Sequence, residues 1–167
     1  MSEALDMIAF KAALRAEMRQ RLRAMSAEDQ QSRSEIIRGL VLRLTAWKQA
    51  KSIVFFSPLP NEPDIALLAQ LAEAGAKTVA IISSTARVEA EFELPGKPDL
   101  IFVPGLAFAK DGHRLGRGAG FFDRLLAGRA ARAFKIGICF SFQLADAVPT
   151  ERHDIEMDMI VTDQGAL

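Results

Sequence analysis

Apolar residues recur at near-helical spacing from about Leu5 to Met25, through Ile8, Ala12, Leu14, Met18 and Leu22. Ser26-Ala27-Glu28-Asp29 then has the order of a helix start, a serine N-cap followed by acids in the first turn. That pattern predicts a second helix to about Trp47, with Ile36, Ile37, Leu40, Val41 and Leu44 facing inward. After it the period changes. Residues 52–57, 77–82, 99–103, 135–140 and 159–162 are short apolar runs that read as strands, and most read as buried. Between the first two of these, Asp64 is placed to cap a helix through Leu67, Leu68 and Leu71, with Gly75 as its stop. Another helix is expected from Phe121 to about Arg132. Residues 83–98 are polar, with a possible edge hairpin around Val88 and 91–94. Strands alternating with helices imply an α/β fold, in which a mainly parallel sheet is covered by helices on both faces with right-handed crossovers.

Size and charge narrow the class. A chain of 167 residues is expected to form one domain, 1–167, large enough for its own core. Its 21 basic and 21 acidic residues cancel, so no global field draws it to nucleic acid or membrane, and neither is an expected partner. Cys139 is the single cysteine and lies within an apolar run, which gives it a core role and excludes an internal disulfide. No run reaches the roughly 18 apolar residues of a membrane span, and the N-terminus does not read as a signal peptide. A cytoplasmic setting is the expectation.

Against that background one stretch carries most of the chemistry: Arg114-Leu115-Gly116-Arg117-Gly118-Ala119-Gly120-Phe121-Phe122-Asp123-Arg124. Alternating glycines before a helix start allow amides to turn toward an anion, and the flanking arginines add charge-assisted donors. Asp123 would repel a phosphate unless a cation sits between them, which makes it a place to look for Mg²⁺. The spacing fits a plain tight turn equally well. Lys11 and Arg15 are i,i+4 neighbours on a basic helix face, either solvated or bridged by an anion. Glu62 follows a strand in the stiff loop Pro58-Leu59-Pro60-Asn61-Glu62-Pro63, where it meets a ligand or only solvent. His153-Asp154 also lies past a strand, on the side where Asp154 could meet Asp123 across one cation.

Taken together, these blocks resemble the 5-formyltetrahydrofolate cyclo-ligase family, also called methenyltetrahydrofolate synthetase. The resemblance runs from residues 11–15 through Glu62, 99–108 and 112–124 to Gln143, Pro149, His153-Asp154 and 160–162. It implies a three-layer α/β fold and conversion of 5-formyltetrahydrofolate to the 5,10-methenyl form, using ATP and Mg²⁺. In that reaction the formyl oxygen is phosphorylated before N10 closes the ring. The resemblance places Lys11 and Arg15 on the ATP phosphates, and wraps Arg114 to Phe122 around nucleotide and substrate, with Arg117 among the catalytic cations. It gives Asp123 and Asp154 to the metal, and Ser57 and Glu62 to the folate. A monomer is expected.

Three departures stand out. Phe121 and Phe122 occupy positions that are usually tyrosine, and Ala119 one that is commonly glycine or lysine. The segment between Ile82 and Asp99 is shorter than the family norm. They leave open a paralogue that binds nucleotide or folate without turnover, or a ligase for a related N-formyl substrate.

Overall fold

In the computed structural model, which describes residues 2–83, 94 and 96–167, the apolar runs become the strands of one sheet. In chain order the strands are β1 (Ser52–Ser57), β2 (Thr78–Ser83), β3 (Leu100–Val103), β4 (Ala107–Ala109), β5 (Arg114–Leu115), β6 (Phe134–Ile138), β7 (Leu144–Ala145), β8 (Met159–Thr162) and β9 (Gly165–Ala166). The helices are α1 (Ser2–Ala24), α2 (Ala27–Arg43), α3 (Thr45–Gln49), α4 (Ala66–Ala74) and α5 (Phe121–Ala127). The main sheet has the order β2-β1-β3-β6-β8-β9, parallel throughout except for the β8–β9 hairpin at one edge. A side sheet, β5-β4-β7, lies over it. Every residue of β3 is buried, whereas edge strand β2 alternates and leaves Ile81 exposed, as expected for central and edge positions in a covered sheet. Helices pack against this sheet, α4 on β1 and β2 and α2 on β8 and β9, while α1 contacts the side sheet at β4.

Sheet order decides where a ligand can bind. The chain steps from β1 out to β2, then returns past β1 to β3. Loops leaving β1 and β3 therefore diverge, and the crevice at such a reversal is the usual ligand position. Glu62 follows β1, and the glycine stretch follows β3. Two glycines let the side sheet come this close. A Cβ on Gly137 in β6 would lie 2.5 Å from the Phe108 ring, and one on Gly105 would lie 2.8 Å from it.

Asp99 ties the start of β3 to β1. Its Oδ2 accepts from the backbone N–H of Lys51 at 2.8 Å and of Ser52 at 3.0 Å. Those donors hold the carboxyl below the ordinary aspartate value. With the folded pKa depressed, this stabilisation is complete above the unfolded value, near pH 4, and fades as pH falls through the folded one. Asp99→Asn is thus expected to lower the melting temperature at neutral pH, with the gap from wild type closing in acid. A gap constant from pH 7 to pH 3 would mean the carboxylate charge contributes nothing.

Several boundaries differ from the sequence reading. Ser26 caps α2 as expected, its side chain accepting from Asp29 N at 3.1 Å. The helix nevertheless stops at Arg43. Leu44 turns extended, and α3 starts a separate segment that buries Trp47. Ile36 points to solvent, while Ile37 and Val41 are buried. Among the described side chains of α1, Leu14, Met18 and Leu22 are buried, whereas Leu5 and Ile8 are exposed. Asp64 accepts from Ala66 N at 3.0 Å but sits one residue before the cap. At the other end of α4 the left-handed residue is Ala76, at φ 59°, and not Gly75. Helix α5 ends at Ala127, well short of Arg132, because Gly128 breaks it. Cys139 lies just past β6, fully buried, and burial raises its thiol pKa, so it is an inert core residue. The hairpin expected around 88 and 91–94 falls outside the described residues apart from Leu94.

Candidate active site

The N-terminal half of α1, the ends of β3 and β5, the glycine loop and residues 151–154 enclose a cleft of about 490 Å³. That is within the range of small-ligand sites, roughly 300–1,000 Å³. Lys11, Arg15 and the whole run from Arg114 to Asp123 line it, and so does Asp154. Residues more than a hundred positions apart thus share one wall. Arg15 makes that explicit, since its Nε donates to Gly116 O at 3.0 Å. Lys11 reaches across to Glu151 at 3.1 Å and lies 3.9 Å from Asp154. The stacked cations of α1 therefore have partners on two different loops.

The loop takes the shape its glycines allow. Gly118 and Gly120 have φ of 115° and 66°, conformations in which other residues are strained. Ala119 is not among the positive-φ residues, so its methyl group fits without strain. Arg124 donates to Ala119 O at 3.0 Å and holds the turn from the far side. With only seven residues in α5, the dipole behind this loop is short, and the side-chain cations dominate its field.

Arg114 is the most buried charge in the cleft wall. Its Nη2 donates to Asp123 Oδ1 at 2.8 Å and its Nη1 to Pro104 O at 3.4 Å, while the guanidinium lies 5.9 Å from the Phe122 ring centroid. Burial lowers its pKa, and the carboxylates of Asp123 and Asp154 oppose that shift, so both aspartates act electrostatically on one guanidinium. Glycines make room for it. A Cβ on Gly105 would lie 2.9 Å from Arg114 Cγ, and one on Gly116 2.9 Å from Nη1. Arg114 is thus an internal counter-ion for Asp123, although the sequence reading set it with the nucleotide ligands.

Glu62 and Ser57 do not line the cleft. Glu62 is 3% exposed and closes its own loop, Oε2 accepting from Leu59 N at 2.9 Å. Its Oε1 takes two bonds from Arg117, from Nη2 at 2.9 Å and Nε at 3.2 Å. Glu62 therefore reaches the cleft through Arg117, across the β1–β3 divide. Ser57, exposed at the end of β1, pairs in register with Ser83 of β2. Phe121 and Phe122 are 3% and 6% exposed and meet edge to face, so their rings are packing elements and offer no open stacking surface.

Two residues carry more than the sequence reading gave them. Glu151 groups with His153 and Asp154, ligand atoms of all three lying within 4.8 Å of one another. Its position three before Asp154 was the available signal, because Asp154 Oδ2 accepts from Glu151 N in a tight turn. Gln143 is 2% exposed and donates to Gly105 O at 3.0 Å and Leu106 O at 3.1 Å, while accepting from Phe140 N at 2.8 Å. It locks the exits of β3 and β6 together beneath the cleft.

The sequence profile of the 5-formyltetrahydrofolate cyclo-ligase family matches residues 7–91 and 77–163. A protein named 5-formyltetrahydrofolate cyclo-ligase from Mycolicibacterium smegmatis is 31% identical, with 91% of this chain and 93% of that protein aligned. One of the same name from Mycoplasma pneumoniae is 30% identical over 163 residues, covering 92% of this chain and 99% of the relative. A compact version of the fold therefore occurs under that name. The solved structure of a Mycoplasma pneumoniae 5,10-methenyltetrahydrofolate synthetase superposes with a TM-score of 0.76 at 28% identity, over 92% of this chain and 98% of that one. With the profile spanning the described elements from α1 to β8, this chain belongs to the 5-formyltetrahydrofolate cyclo-ligase family.

Proposed function

We propose that the chain converts 5-formyltetrahydrofolate to 5,10-methenyltetrahydrofolate with consumption of ATP. The observation that carries this reading is one cleft in which Lys11, Arg15 and Arg117 face a group of carboxylates at the strand reversal, in a chain of this family. Phosphoryl transfer needs positioning and charge neutralisation more than a reactive side chain. In the proposed sequence the formyl oxygen attacks the γ-phosphorus and ADP leaves. N10 then attacks the activated carbon, the carbon–oxygen bond to phosphate breaks, and N10 gives up its proton. Neither step calls for a protein nucleophile, in keeping with a buried Cys139.

Lys11 and Arg15 are the residues proposed to hold the phosphates, and Arg117 neutralises charge at the transferred group. The donor set suits Mg²⁺, a hard cation that takes carboxylate oxygens together with substrate phosphates. Asp123 and Asp154 would hold it, and Glu151 lies beside Asp154. Such an ion supplies neutralisation of the phosphate oxygens. Before it binds, the carboxylates are balanced by Arg114 and Lys11. Ser57 and Glu62, proposed to serve the folate, act from outside the cleft wall, Glu62 by orienting Arg117.

The test is direct. Protein, ATP, Mg²⁺ and 5-formyltetrahydrofolate are mixed, and the near-ultraviolet absorbance of the methenyl product is followed. Product formation that requires ATP is the expected result. ATP-dependent thermal stabilisation without phosphate release in the presence of folates would replace this reading with a binding protein.

A further inference from the structure

The cleft as described has seats for phosphate charge but none yet for a flat base. Phe121 and Phe122, the rings that the sequence offers, are buried and already face each other. Leu115 and Pro104 are buried as well. Apart from the small methyl of Ala119, the open aliphatic side chain in the described lining is Ile8, 63% exposed on α1. It precedes Lys11 by three residues and Arg15 by seven, so the three share one helix face, with Ile8 about 10 Å along the axis from Arg15. A large apolar side chain so exposed, beside two cations that line the same cleft, is not part of the buried core of the described residues.

A second open surface faces the same space. His153 lines the cleft with its side chain 74% exposed. It is joined to Lys11 through Glu151, whose two oxygens contact Lys11 Nζ at 3.1 Å and His153 Nε2 at 3.2 Å. Ile8 and His153 thus flank the Lys11–Glu151 bridge, one on the helix and one on the loop. An imidazole offers a π-face and an isoleucine an apolar one, which together suit a heteroaromatic ring.

Resting on the ATP reading above, we propose that Ile8 and His153 form the base subsite of the nucleotide, holding the purine between them while Lys11 and Arg15 hold its phosphates. Both side chains are exposed, so their substitution leaves the fold intact. Ile8→Ala and His153→Ala are each expected to raise the KM for ATP five- to twentyfold with kcat changed less than twofold. His153→Phe, which keeps a ring, is expected to restore most of the loss. Inorganic tripolyphosphate, which has no base, is expected to inhibit wild type and variants equally. An unchanged KM for ATP in both alanine variants overturns the subsite. A rise confined to the KM for 5-formyltetrahydrofolate assigns the ring to the pterin and overturns it too. If wild type shows no uptake of ATP at all, the nucleotide reading fails first, and that outcome is separate from either of these.

Discussion

Asp123→Ala is expected to abolish ATP-dependent turnover and also to destabilise the fold, which few site substitutions do together. The reason is Arg114. Its side chain is 4% exposed and its ion pair with Asp123 spans 2.8 Å. Removing one partner of a buried pair leaves an uncompensated charge, at a cost of about 3 kcal/mol. For a chain of this size that corresponds to a fall of roughly 6–12 °C in melting temperature. Asp154 and the Pro104 carbonyl also attend Arg114, and they set the lower end of that range. Asp123→Asn keeps an acceptor for Nη2, so it is expected to recover part of the stability and none of the turnover. Replacing both partners, in Asp123→Leu with Arg114→Leu, is expected to restore stability beyond the single alanine variant, because no buried charge is then left alone. Thermal denaturation of the three variants checks this. A melting temperature for Asp123→Ala equal to wild type would show that Arg114 does not depend on Asp123.

That double role could not be read from the sequence, and the reason is general to this site. The strands were legible because parallel strands covered on both faces are apolar throughout, as 53–56 and 100–103 are. Ser26 was legible because its cap bond is local. The residues of the cleft were legible as a group, since Lys11, Arg15 and the glycine run, singled out by type, line it together. Their partners were not. Arg117 meets Glu62 across 55 positions and Arg15 meets Gly116 across 101, and neither distance leaves a trace in local pattern. Position along α1 misled in the same way. Leu5 and Ile8 fit the apolar period, but neither is buried, and Ile8 borders the cleft instead of the core. The break at Leu44 has a tertiary cause too, because Trp47 must turn inward to meet Phe55 and Phe102.

Arg117→Ala is expected to lower kcat/KM for ATP ten- to hundredfold, the effect of losing one hydrogen-bonded charge, about 1.5–3 kcal/mol. Two mechanisms predict that loss, and Glu62 separates them. The Arg117 side chain is 27% exposed and faces the cleft, whereas the Glu62 side chain is 4% exposed behind it. If Arg117 touches the transferred phosphate, Glu62 serves to aim it. Glu62→Gln then costs less than Arg117→Ala, and Arg117→Ala still costs at least tenfold in the Glu62→Gln background. If instead Arg117 serves only to neutralise and place Glu62, the two single losses match, and the double variant is no worse than either. Stability offers an independent reading. Arg117→Ala strands a buried carboxylate whose Oε2 still accepts from Leu59 N, so the melting temperature falls, and Glu62→Gln in the same chain raises it again by removing that charge. The geometry favours the first mechanism, because the guanidinium and not the carboxylate lines the cleft. Equal single losses with no further effect in the double variant would move the essential charge from Arg117 to Glu62.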